Sequence, residues 1–85
     1  MTIYILVRKS LSDPNEELDV TVFNNLKAAQ AQMGCEFLAE EEDAISRENI
    51  EEDGWEFHSL EDFSAIIKPF GSDFAYKWQI FVREL

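Results

Sequence analysis

"SLEDFSAIIKPF", residues 59–70, decides how many helices this chain has. Ser59 followed three residues later by Asp62 fits a capping box, with Asp62 in the place usually held by Glu or Gln. Leu60, Phe63, Ile66 and Ile67 then line a short helix, and Pro69 stops it through its missing N–H and fixed φ. Downstream, "PFGSD" at 69–73 carries turn-forming residues. "FAYKWQIFVREL" at 74–85 alternates, with Phe74, Tyr76, Trp78, Ile80 and Val82 on one face; a period of two is the signature of a strand.

Upstream lies a longer helix. Leu26, Ala29, Met33 and Phe37 recur at spacings of three and four, a stripe that faces a sheet. Asn24 or Asn25 caps its start by accepting a free backbone N–H. The helix runs to the mid-forties, and residues 46–54 are its frayed end or a loop closing at Gly54. Leu38 and Ile45 fall on a different azimuth from the first stripe. Before the helix, "TIYILVRK" at 2–9 is rich in β-branched and aromatic residues, with large apolar side chains on both faces. "LDVTVF" at 18–23 places Leu18, Val20 and Val22 on one face and Asp19, Thr21 and Phe23 on the other. The Ser, Asp, Pro and Asn of "SLSDPNEE" between these runs predict a β-hairpin. The order β–β–α–α–β predicts an α+β fold: a small antiparallel sheet of about three strands with two helices, in a single domain spanning residues 1–85.

The chain has 85 residues, 46% of them hydrophobic and 13% aromatic. That is one core and no second, with too many aromatics for intrinsic disorder. The only cysteine, Cys35, excludes an intramolecular disulfide and a multi-cysteine metal knuckle. The apolar run Ile3 to Val7 is too short for a signal-peptide core or a membrane span. These features together predict a cytoplasmic protein.

Catalytic chemistry finds little to stand on. His58 is the only histidine, and nothing in sequence brings it to Cys35 as a nucleophile and base would require. Gly34, Gly54 and Gly71 are isolated, so there is no phosphate-cradling loop. Consecutive carboxylates in "EEED" point about 100° apart on a helix and do not converge as a hard cation demands. The reading is of a protein that is not an enzyme, with no cofactor and no specific metal.

The strongest functional signal is "EFLAEEEDAISRENIEEDGWEF", residues 36–57. Residues 36–62 hold twelve acids against Arg47 alone, whereas the rest of the chain has six acids and six bases. The whole net charge of −11 is therefore local. It argues against direct binding to nucleic acid, which needs a basic footprint, and against an anionic membrane surface. If residues 36–56 were continuous helix, like-charge pairs three and four apart would cost on the order of 2 kcal/mol. A one-signed patch held at such a cost fits a positive partner. Between residues 36 and 53 the acids would lie roughly 3 Å apart along a helix, close to the ~3.4 Å phosphate spacing along one DNA strand.

In size, acidity and this run the chain resembles small phage proteins of the anti-CRISPR kind, several of which act as DNA mimics. The resemblance implies an inhibitor occupying the phosphate-binding channel of a nucleic-acid-binding host protein. On electrostatic grounds the partner-binding candidates are Glu40, Glu41, Glu42, Asp43, Glu48, Glu51, Glu52 and Asp53, each a carboxylate for a Lys or Arg on a basic protein surface. The rival reading is a small structural or assembly module, a homodimer through a sheet edge, whose acid run serves solubility. Phe81, opposite the aromatic face of the last strand, belongs to that reading, because two helices leave apolar surface uncovered.

Overall fold

The computed structural model describes residues 1–11, 18–48, 50, 54–72 and 75–85, with Glu48 described by its backbone alone. Five strands and one helix follow in the order β1 (Thr2–Ser10), β2 (Asp19–Phe23), α1 (Leu26–Glu48), β3 (Trp55–Leu60), β4 (Ser64–Pro69) and β5 (Tyr76–Glu84). The strands form one sheet in the order β2-β1-β5-β4-β3, and every neighbouring pair is antiparallel. The expected arrangement of three strands and two helices is therefore wrong in its second half. Residues 55–69 form a β-hairpin where the sequence pattern predicts a short helix.

The reason is visible at the turn. Glu61 N–H donates to Ser64 C=O at 2.8 Å, closing a tight loop around Asp62 and Phe63. Asp and Ser serve turns as readily as helix caps, since their side chains offer the backbone local hydrogen bonds in either setting. The tie is broken by β5. Its aromatic strand has two edges, one paired with β1 and the other with β4, where Ala65 lies opposite Trp78 and Ile67 opposite Tyr76. Ala65, Ile67 and Pro69 alternate into the core, and the β-branched pair Ile66–Ile67 suits that pleated surface better than a helix. A β-bulge between Trp55 and Phe57 then turns both Trp55 and His58 toward the helix side of the sheet.

The long helix is more legible. Ala29, Met33 and Phe37 are buried and Leu26 packs against them, and the buried stripe continues through Ala44. It meets Leu6, Ala65, Ile67, Trp78 and Ile80 on one face of the sheet. Phe37 and Trp78 contact edge to face, with ring centroids 5.9 Å apart. Asn25 caps the helix by accepting from Ala28 N–H at 3.2 Å. Asn25→Ala should cost about 1 kcal/mol, read as a lower urea midpoint at unchanged slope; Asn24→Ala should leave the midpoint in place. At the β4–β5 turn Gly71 adopts φ of 69°, a conformation that glycine takes without a Cβ clash.

The Cα envelope, 44 × 27 × 16 Å, is a slab one helix and one sheet thick. Among the described residues nothing covers the second face of the sheet. Phe74, expected on the last strand, and the expected hairpin loop at 12–17 lie outside the described residues.

Candidate functional site: an acid-bearing helix and a bare sheet face

An α-helix turns about 100° per residue, so consecutive acids cannot share a direction. In α1 this separates the candidate carboxylates into different jobs. Glu40 follows Phe37 by three and precedes Ala44 by four, which places it on the buried stripe. There it takes a hydrogen bond from the Arg8 guanidinium at 2.6 Å, the two side chains being only 16% and 23% exposed. Arg8 also lies over the Tyr76 ring, 4.4 Å from its centroid. Glu41 reaches the β3 side, with Oε2 2.7 Å from His58 Nε2, and the imidazole packs on Phe37 and Trp55. Asp43 pairs with Arg47 one turn on, at 3.2 Å. Glu36 accepts from Trp78 Nε1 at 3.3 Å and from Gln32 Nε2 at 2.8 Å.

Glu36, Glu40 and Glu41 are thus engaged by the sheet, whereas Asp43 pairs along the helix at the surface. Among the described candidates on α1, Glu42 is exposed and Asp43 is partly so. The side chain of Glu48, and Glu51, Glu52 and Asp53 altogether, lie outside the described residues. Cys35 is exposed, whereas Phe37, which carries the His58 contact, is buried. Among the described residues no group of three or more His, Cys, Asp and Glu side chains could hold a metal ion. Among them, too, no helix is long and apolar enough to cross a membrane.

The second surface follows from strand register. Residues directly opposite in an antiparallel pair share a face, and alternate residues switch it. Leu6, Ile80 and Thr21 face the helix, so Ile5, Phe81 and Val22, which lie in one row across β1, β5 and β2, face away. Ile3 and Val7 flank Ile5 along β1, and Val20 lies opposite Val7. Val20, Val22 and Phe81 are 57%, 58% and 40% exposed. Around this block the same face carries Lys9, Lys77, Lys68 and Arg83, by the same alternation. Lys68 is ion-paired with Glu56. Charge is therefore sorted by side: α1 bears the acids, and the bare face of the sheet has an apolar centre with basic surroundings.

Sequence reasoning finds apolar residues on both faces of the first strand, and the extra Phe81, but names none of them as a site. The available signal is the Leu18, Val20, Val22 alternation set beside Ile3, Ile5 and Val7. Two half-apolar strands need cover on both faces, and one amphipathic helix supplies it on one. The chain matches no protein-family model, no curated protein and no solved structure.

Proposed function

We propose that this chain is a non-enzymatic, cytoplasmic protein-interaction module whose docking surface is the bare face of the sheet, centred on Ile3, Ile5, Val7, Val20, Val22 and Phe81. The observation that carries the reading is the position of Val20, Val22 and Phe81, more than a third exposed and contiguous across neighbouring strands. Apolar surface of this kind releases about 25 cal/mol for each Å² taken out of water. Surrounding cations give the polar rim that protein interfaces have around an apolar centre. The exposed thiol of Cys35 suits a reducing compartment.

A second reading is favoured by the sorting of charge. In it the acid side, through Glu42 and the segment with Glu48, Glu51, Glu52 and Asp53, docks on a basic partner, in the manner of an anti-CRISPR-like inhibitor of a nucleic-acid-binding protein. Glu40, Glu41 and Asp43 contribute less to that surface, because Arg8, His58 and Arg47 already engage them.

One experiment separates the two. Partners are captured from the lysate of the native cell by the wild type, by Val20→Lys/Val22→Lys, and by Glu42→Lys/Glu51→Lys/Glu52→Lys. The sheet-face reading expects a partner lost only by the valine variant and retained in high salt. Loss only by the glutamate variant, with salt-sensitive binding in the wild type, would overturn it in favour of the acid-side reading.

A further inference from the structure

We infer that the bare face of the sheet receives an acidic amphipathic helix of another protein, whose carboxylates meet Lys9 and Lys77 and whose apolar stripe covers Ile5, Val7, Val22 and Phe81. The inference rests on the sheet-face reading and names the class of partner that reading leaves open.

Charge is the first argument. The whole chain has seven Lys and Arg residues, and strand alternation puts four of them, Lys9, Lys68, Lys77 and Arg83, on the bare face. Two of these are engaged within the fold. Lys68 pairs with Glu56 at the β3 bulge, and Arg83 lies 5.9 Å from the Phe81 ring centroid and donates to Val82 C=O at 2.9 Å. Lys9 and Lys77 remain, both exposed and directly opposite each other on β1 and β5. Among the described residues neither ammonium has an ion-pair partner. Like charges directly opposite on paired strands repel, and a carboxylate seated between them turns that repulsion into attraction.

The covered face shows how this sheet completes such a group. Arg8, one residue before Lys9, faces the other side, where Glu40 on the buried stripe of α1 meets it at 2.6 Å. The same stripe covers Leu6, Trp78 and Ile80. The bare face repeats those elements, an apolar block beside strand cations, with no helix of the described chain over it.

Dimensions agree. With strands about 4.8 Å apart, β2 and β5 flank β1 across about 10 Å, the width of one helix with its side chains. The nine residues of β1 extend about 30 Å, the length of a helix of about 20 residues. One helix laid along β1 therefore spans the row Val22–Ile5–Phe81 and reaches Lys9 and Lys77 toward one end. Single-stranded nucleic acid fits this face less well, because it is bound by aromatic stacking platforms and the centre here is mainly aliphatic. The acids of α1 do not oppose an acidic partner. They lie on the other side of a slab 16 Å in its thinnest extent, about twice the Debye length at physiological ionic strength.

The test is selection from a displayed library of helices of about 20 residues, with an apolar stripe at spacings of three and four and flanking positions drawn from Glu, Gln and Lys. Wild-type protein is the bait, and Val20→Lys/Val22→Lys identifies which selected helices use the bare face. Helices lost on that variant are expected to be rich in Glu toward one end and to bind roughly tenfold or more weakly to Lys9→Glu/Lys77→Glu. Changing their own Glu to Lys should restore binding to that charge-reversed variant, a recovery that separates a lost contact from a damaged fold. High salt should weaken the wild-type complex without abolishing it, since apolar burial persists. Valine-dependent helices with no preference for Glu would overturn the acidic partner and spare the sheet-face reading. Only Lys-rich helices indifferent to Val20→Lys/Val22→Lys would overturn both, in favour of the acid side. An oligothymidylate of about 20 nucleotides that binds the wild type and is lost on Lys9→Glu/Lys77→Glu, with no helix selected, would give the face to single-stranded nucleic acid. A wild type that selects no helix and self-associates in sedimentation equilibrium, the association being lost in Val20→Lys/Val22→Lys, would give it to a second copy. A wild type that selects nothing and stays monomeric would likewise overturn the inference.

Discussion

Trp78→Ala is expected to remove about 3–5 kcal/mol of folding stability and to lower the urea midpoint sharply. The side chain is fully buried at the centre of the sheet, opposite Arg8 on β1 and Ala65 on β4. It packs edge to face on Phe37, lies 6.1 Å from the Tyr76 ring, and donates its indole N–H to Glu36. Truncation opens a cavity where helix and sheet meet, and the surroundings are too interlocked to collapse into it. A typical small domain has about 0.05–0.15 kcal/mol of stability per residue, about 4–13 kcal/mol for 85 residues, so a loss of this size is a large share of the total. Trp78→Phe keeps most of the apolar volume and should cost about 1–2 kcal/mol, part of it from the lost N–H donor. Urea unfolding followed by circular dichroism measures both. A Trp78→Ala loss below about 1 kcal/mol would mean that the core is not organised around this residue.

The second large effect belongs to the Arg8–Glu40 pair. Arg8→Ala should cost about 3 kcal/mol, because it leaves a largely buried carboxylate without the guanidinium that faces it. Glu40→Ala should cost less, about 1–2 kcal/mol, since Arg8 retains the Tyr76 ring and a longer contact to Asp19 at 3.9 Å. The double variant Arg8→Met/Glu40→Leu should return to within about 1 kcal/mol of the wild type. Well-packed apolar residues often replace a buried ion pair without loss, and Arg8 Nε is buried with no hydrogen-bond partner among the described residues. A double-mutant cycle gives the coupling. Additive single losses under about 0.5 kcal/mol would show that the pair behaves as a surface contact. The same logic bears on function: Glu40→Lys would weaken any partner by damaging the fold, so it is a poor probe of acid-side docking, whereas Glu42→Lys is a clean one.

The acid run illustrates what sequence can and cannot say about a site. That the charge is concentrated is plain from the order of residues. That Glu40 belongs to the core is legible only in part: it falls three residues after Phe37 on the buried stripe, and Arg8 stands in a strand otherwise rich in apolar residues. Nothing local ties the two together across 32 positions. Glu41 meeting His58 and Glu36 meeting Trp78 are likewise contacts between helix and sheet, made only once the helix azimuth and the sheet register are both set.

Local pattern alone determined β1, β2, α1 and β5, because each has a periodicity that a single chemistry explains: alternation for a strand, three-and-four spacing for a helix. The order of residues also determined that the net charge is confined to one region. Only the tertiary structure decided residues 55–69. Their Ser, Asp and β-branched residues fit a capped helix and a hairpin alike, and the choice fell to the free edge of β5, whose backbone N–H and C=O groups needed a strand partner that a helix could not supply. The tertiary structure also decided which apolar residues stay exposed. One helix can cover one side of a sheet; with the second helix gone and two more strands in its place, the opposite side, with Ile5, Val22 and Phe81 in a row, has no element of the described chain to bury it.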